Sequence, residues 1–189
     1  MPQARSGDDR LVTRRALLIL VFSAFVALGA QAAQFSIDAV KAAYLFRFAS
    51  YVEWPEAARA APDFVIGVVG AEDVAVHLDS MLSGMSVHGR PAIVRRVNTA
   101  AQLEGVHILY VGARVFRSSR PLRVLAMEKP ILIVTDASEG LAGGGVINFI
   151  EVNRNLRFEI SLEAAARSSL RIDSALLSVA ARVDTRRPN

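Results

Sequence analysis

The sequence predicts a single α/β domain: a layered sandwich with a largely parallel central sheet, a C-terminal antiparallel hairpin and flanking helices. Three observations predict it. The continuous apolar runs FVIGVVG (Phe64–Gly70), VHILYVG (Val106–Gly112) and PILIVTD (Pro130–Asp136) have the length and β-branched content of strands buried on both faces. Helical segments fall between them, at the spacing of strand–helix–strand units. The last third breaks this alternation: GVINFIEV, a turn NRN, then LRFEI read as two antiparallel strands. With 189 residues, 52% of them hydrophobic, the chain can bury a core of ordinary size, and it shows no internal repeat.

Residues 1–33 read as a leader. MPQARSGDDRLVTRR is a charged opening, ALLILVFSAFVAL (Ala16–Leu28) an apolar core, and GAQA supplies small residues in the A-x-A pattern. The core falls short of the ~20 residues a membrane span needs. A signal peptide cleaved after Ala32 or Ala33 is therefore expected, with an uncleaved anchor as the rival. The exported domain is then 34–189. The leader's Arg5, Arg10, Arg14 and Arg15, less Asp8 and Asp9, account for half of the +4 net charge. The remaining surplus gives no footprint for nucleic acid. Arginine outnumbers lysine twenty to two, which reads as genome composition rather than a phosphate-recognition programme, although arginine's planar fork suits either use. No cysteine is present, so the fold has neither disulfides nor thiol chemistry.

The exported domain opens with FSIDAVKAAYLFRFASYVEWP, a helix from about Asp38 to Val52, capped by Asp38 or Ser36 and closed by Pro55. Val40, Tyr44, Phe48 and Tyr51 share helical spacing, and only Lys41 and Arg47 interrupt the apolar residues, so the helix is expected to be buried on more than one side. The first strand, 64–70, leads into an amphipathic helix over 71–82. SGMSVHGR is a loop or short strand, and PAIVRRV (91–97) is the second strand. A short helical piece near 100–103 precedes the third strand. SSRPLRVLAM (118–127) is a helix with Pro121 in its first turn, and the fourth strand follows. After the hairpin, Ser161 can cap LEAAARSSL and Asp173 can cap a helix over 173–183.

The Gly143–Gly145 run can cradle a phosphate or turn a strand. A phosphate loop needs a helix after its glycines; here VINFIE follows, which favours the turn. GMSVH (84–88) lacks the second glycine of a nucleophile elbow. His77, His88 and His107 have no partner at metal-ligand spacing. The chain is therefore expected to be no enzyme, with no cofactor or metal. Gly70 and Asp136 lie at strand ends where open α/β sheets bind ligands. On the hairpin, Arg157 and Glu159 share a face, either as an exposed pair or as a buried, specific one. These four are the candidate ligand residues.

Three segments in order carry a resemblance: KAAYLFRFASYVEWP (Lys41–Pro55), PILIVTDASEGLAGGGVINFIEVNRNLRFEIS (Pro130–Ser161) and LEAAARSSLRIDSALLSVAARV (Leu162–Val183). Together they resemble the YfiR family of small exported proteins of Gram-negative bacteria. The resemblance implies an α/β sandwich that commonly dimerises. It also implies a periplasmic inhibitor that binds the outward-facing sensory domain of an inner-membrane diguanylate cyclase, lowering cyclic di-GMP and biofilm formation. Well-known relatives carry cysteines that give a redox handle; this chain departs in having none.

On that reading Tyr44, Phe48, Tyr51 and Trp54 are candidate partner contacts, since aromatic residues anchor interfaces; core packing is the rival account. The partner is a membrane diguanylate cyclase or sensor kinase, with a homodimer and an unidentified small ligand also open. The alternative function is a periplasmic small-ligand module feeding a membrane sensor. An exported hydrolase is the third reading, without a catalytic set to support it.

Overall fold

The structure, a computed structural model, describes residues 36–185; the leader expected over 1–33 lies outside them. Ser36 caps the first helix, α1 (Ile37–Phe48), its hydroxyl accepting the Ala39 N–H at 3.1 Å. Only Ile37, Ala43 and Arg47 of α1 are exposed. The helix ends four residues before the expected Val52. The N–H groups of Ala49, Ser50 and Tyr51 bond back three residues, to Phe46, Arg47 and Phe48, which tightens the last turn. The chain then leaves as a short strand, β1 (Val52–Glu53).

There follow α2 (Glu56–Arg59), β2 (Phe64–Val69), α3 (Glu72–Leu82), β3 (Ser86–Val87), β4 (Arg90–Arg96) and a 3-10 turn (Ala100–Leu103). Next come β5 (Val106–Val111), a second 3-10 turn (Ala113–Val115), α4 (Arg120–Met127) and β6 (Leu132–Thr135). The hairpin is β7 (Ile147–Val152) and β8 (Asn155–Ser161). The chain closes with α5 (Leu162–Arg167), β9 (Arg171–Ile172), α6 (Ser174–Val179) and β10 (Arg182–Asp184).

Eight strands form one sheet in the order β3-β4-β2-β5-β6-β7-β8-β10. β4, β2, β5, β6 and β7 run parallel; β3 and β8 are antiparallel to their neighbours β4 and β7, and β10 runs parallel to β8. The predicted class holds: a largely parallel sheet with antiparallel additions and flanking helices. Helices cover both faces, which is why β2, β5 and β6 are buried along their whole length and read as continuous apolar runs. The larger core gathers Phe48, Trp54, Phe64, Tyr110, Phe149 and Phe158 with residues of α1, α3 and α5. The smaller one, on the opposite face, packs Val65, Leu109 and Ile133 against Leu103, Phe116 and Ala126.

The hairpin turn is Asn153-Arg154, both at positive φ (52° and 61°), as a two-residue type I′ connection requires. Ser161 and Asp173 cap α5 and α6 as expected. The last helix is shorter than the 173–183 expected. Ala180 turns extended, the Ala181 N–H bonds Phe158 O at 2.8 Å, and Arg182–Asp184 join the sheet edge beside β8. β1 and β9 pair with each other and were not foreseen either. Strands of two or three residues carry no readable period.

Candidate functional site

The chain runs from β2 outward to β4, returns to β5 on the other side of β2, and then steps on through β6 and β7. Strand order therefore reverses between β2 and β5. Open α/β sheets bind ligands at such a point, outside the carboxyl ends of the strands. There lies a cleft of about 630 Å³, bounded by Asp38 and Lys41 of α1, Gly70 after β2, the start of α3, Arg96 at the end of β4 and Asn98 beyond it, Tyr110 and Gly112–Arg114 at the end of β5, and Asp136 after β6.

Its polar floor is tightly paired. Lys41 Nζ lies 2.7 Å from Asp136 Oδ2 and 3.4 Å from Asp38 Oδ1. The other Asp136 oxygen accepts the Ala113 N–H at 2.6 Å. Tyr110 is buried; its phenol is pushed far up, first by burial and then by the neighbouring Asp136 carboxylate. At the rim Arg96 spans Glu72, at 2.7 Å, and Asp79. The hydrogen bond from Arg96 holds the Glu72 carboxyl below the usual carboxylate range, and the two acids raise the guanidinium further. Gly70 lines the cleft at φ 62°, and a Cβ there would fall 2.3 Å from Val115. Both the turn and the close approach demand glycine.

Of the four candidate ligand residues, Gly70 and Asp136 meet in this cleft and Arg157 and Glu159 do not border it. The Arg157–Glu159 pairing is replaced. Arg157 is exposed and donates to Val179 O at 3.3 Å. Glu159 is buried, accepting from Asn148 Nδ2 at 3.1 Å and Arg182 Nε at 3.0 Å. Arg182 comes from β10, which sequence patterning did not reveal. Lys41 and Tyr110 were also missed as site residues. The signal for Lys41 was present, as one of only two lysines, set in a helix whose other charges are Asp38 and Arg47.

The candidate partner aromatics divide. Phe48 and Trp54 belong to the core, so neither offers a surface to a partner. Phe48 stacks on Phe149 with centroids 5.8 Å apart and meets Phe158 edge-on at 5.2 Å. Trp54 meets Phe64 edge-on at 5.3 Å, and its indole N–H donates to His107 O at 3.3 Å. An apolar aromatic suits a core and an anchor alike, and here burial takes these two. Tyr44 and Tyr51 stay half-buried.

The glycine run turns the chain into β7. The N–H groups of Gly143, Gly144 and Gly145 bond Glu139, Leu141 and Gly140 carbonyls at 2.8, 3.0 and 3.0 Å, so none points at an anion. His107 is a core residue stacked 4.6 Å from Phe64. Its Nδ1 accepts the Val65 N–H at 3.2 Å, which leaves Nε2 to donate to Ala58 O at 2.9 Å. Burial lowers its pKa, which favours this neutral form. Among the described residues no three His, Asp or Glu side chains gather to hold a metal ion, and no helix is long and apolar enough to cross a membrane.

Fold and cleft together define a doubly wound α/β domain with a switch-point pocket whose floor, Lys41 with Asp38 and Asp136, is paired internally. The chain belongs to the YfiR/HmsC-like family, whose model matches residues 38–181. That family is regulatory rather than catalytic, and membership is consistent with a periplasmic regulator of cyclic di-GMP signalling. No curated protein matches the chain. Among solved structures, a conserved domain protein from Vibrio cholerae O1 biovar El Tor strain N16961 is similar at a TM-score of 0.52 and 15% identity. The match covers 79% of this chain and 60% of that one, so this chain spans less than two thirds of its length. At that identity the likeness shows the fold alone.

Proposed function

We propose that the protein is a periplasmic inhibitor of an inner-membrane diguanylate cyclase. It binds the cyclase's periplasmic sensory domain, directly holds the inactive conformation and so lowers cyclic di-GMP and biofilm formation. The observation that carries this reading is the family match across 38–181. Inhibition requires only a differential affinity for the inactive state, because a ligand shifts an equilibrium by that difference. The signal peptide over 1–33 and cleavage near Ala32 are parts of the same reading. Of the four aromatics first considered, Tyr44 and Tyr51 remain as partner contacts, since Phe48 and Trp54 are used by the core.

Deleting the gene and measuring intracellular cyclic di-GMP tests the reading. Deletion should raise the nucleotide and surface attachment, and the full chain should restore both; the same chain without residues 1–33 should not. Unchanged cyclic di-GMP after deletion contradicts the proposal.

The switch-point cleft favours a second reading, a small-ligand module feeding a membrane sensor. Its walls offer Arg114 and Asn98, whereas Lys41 and Asp136 are already committed to each other. A melting-temperature screen with amino acids and nucleotides separates the readings, since a bound ligand stabilises the folded state.

A further inference from the structure

On the sheet face opposite α1, a second groove of about 650 Å³ runs between α4 and the glycine turn. Its walls carry Arg117, Arg120, Arg123 and Arg167, against one carboxylate, Glu139. Arg117, Arg120 and Arg123 trace to a run in the sequence, ARVFRSSRPLR, in which every third residue from Arg114 to Arg123 is arginine; Arg167 comes from α5. Net charge gives no hint of this local surplus.

The charges are poorly matched by the protein itself. Arg123 is 4% exposed, yet its guanidinium meets no carboxylate. It donates to the carbonyl oxygens of Gly143 and, at 2.9 Å, Phe116, and lies 3.6 Å over the Phe116 ring; its Nε–H has no acceptor. Burial and the charge of Arg120 both lower its pKa. The Arg120 side chain makes no hydrogen bond or ion pair among the described residues; its backbone N–H donates to Arg117 O at 3.3 Å. Arg117 stands 3.8 Å from Glu139, both largely exposed, an arrangement that contributes little. Arg167 pairs with Glu163 one helical turn away. A buried cation solvated only by carbonyl dipoles and a ring, beside a second unpaired guanidinium, leaves the groove short of negative charge.

We propose that this groove binds a polyvalent oxyanion of the phosphate type. Guanidinium forks that come from α4, the segment before it and α5 match a group with several oxygens better than a planar carboxylate. Val124 and Met127 supply an apolar wall for the organic part of such a ligand. The source is either a soluble phosphate compound or a phospholipid headgroup, which present the same chemistry. The site is independent of the cyclase contact: it concerns neither Tyr44 nor Tyr51.

The test uses the whole exported chain, with pyrophosphate as soluble probe at constant ionic strength and phosphatidylglycerol vesicles against phosphatidylcholine vesicles as lipid probe. The variants are Arg117→Ala/Arg120→Ala, both exposed, and Arg154→Ala in the hairpin turn as a control for general charge. Calorimetry should show pyrophosphate binding that the double variant weakens by about tenfold or more, as the loss of two charged forks requires, with Arg154→Ala unaffected. Binding of phosphatidylglycerol vesicles alone, with the same dependence on the two arginines, supports the site and assigns the headgroup as its source. No binding of either probe overturns the proposal. So does a double variant that binds like the parent, or an Arg154→Ala variant that loses as much.

Discussion

Trp54→Ala should cost about 3–5 kcal/mol of stability, the usual loss when a buried tryptophan is truncated. That is a large share of the roughly 5–15 kcal/mol that holds an ordinary domain together. The side chain is 4% exposed and touches both Phe64 and His107. Alanine would leave a cavity at the junction of β1, β2 and β5 and remove the donor to the His107 carbonyl. Trp54→Phe should lose far less, since it keeps most of the volume. Urea unfolding of the three proteins measures this. A Trp54→Ala protein with an unchanged midpoint, but unable to restrain the cyclase, would contradict the packing and return Trp54 to the partner surface. Increased biofilm alone does not distinguish the two, because an unfolded inhibitor also fails to inhibit.

Asp136→Ala should cost about 2–4 kcal/mol, approaching the range seen when one member of a buried ion pair is removed. Two groups depend on this carboxylate: the Lys41 ammonium at 2.7 Å and the Ala113 N–H at 2.6 Å. Lys41 cannot turn fully to water, with its side chain 12% exposed, and Asp38 at 3.4 Å replaces only part of the interaction. Replacing both partners, Lys41→Met with Asp136→Leu, should be milder than Asp136→Ala alone, because no charge is then stranded. The double-mutant cycle gives the coupling energy. Additive single losses would mean that the pair does not hold α1 against the end of β6.

The elements that were legible in the sequence are those long enough to show a pattern. β2, β5 and β6 are buried throughout and largely apolar because helices cover both of their faces, and the hairpin is betrayed by alternation about Asn153-Arg154. Ser161 and Asp173 are caps by residue type. β1, β9 and β10 were not legible, since two or three residues define no period and their pairing is set by distant partners. The candidate site was half legible for the same reason. Asp136 and Gly70 follow strands recognisable in the sequence, but Lys41 reaches Asp136 from 95 positions away. Glu159 was read with Arg157, two residues off on the same strand face, while the fold supplies Arg182 instead. Trp54 and Phe48 show the remaining ambiguity: an aromatic, whether at helical spacing like Phe48 or beyond the helix like Trp54, looks the same whether it faces a core or a partner.

The central claim is inhibition by binding, and reconstitution addresses it most directly. A membrane diguanylate cyclase from the same bacterium would be placed in proteoliposomes with its sensory domain outward and GTP sealed inside, and the purified exported domain added to the outside. The account predicts that cyclic di-GMP synthesis falls saturably as the domain is added, and that heat-unfolded domain has no effect. Synthesis that stays constant while the folded domain is present in excess would contradict it.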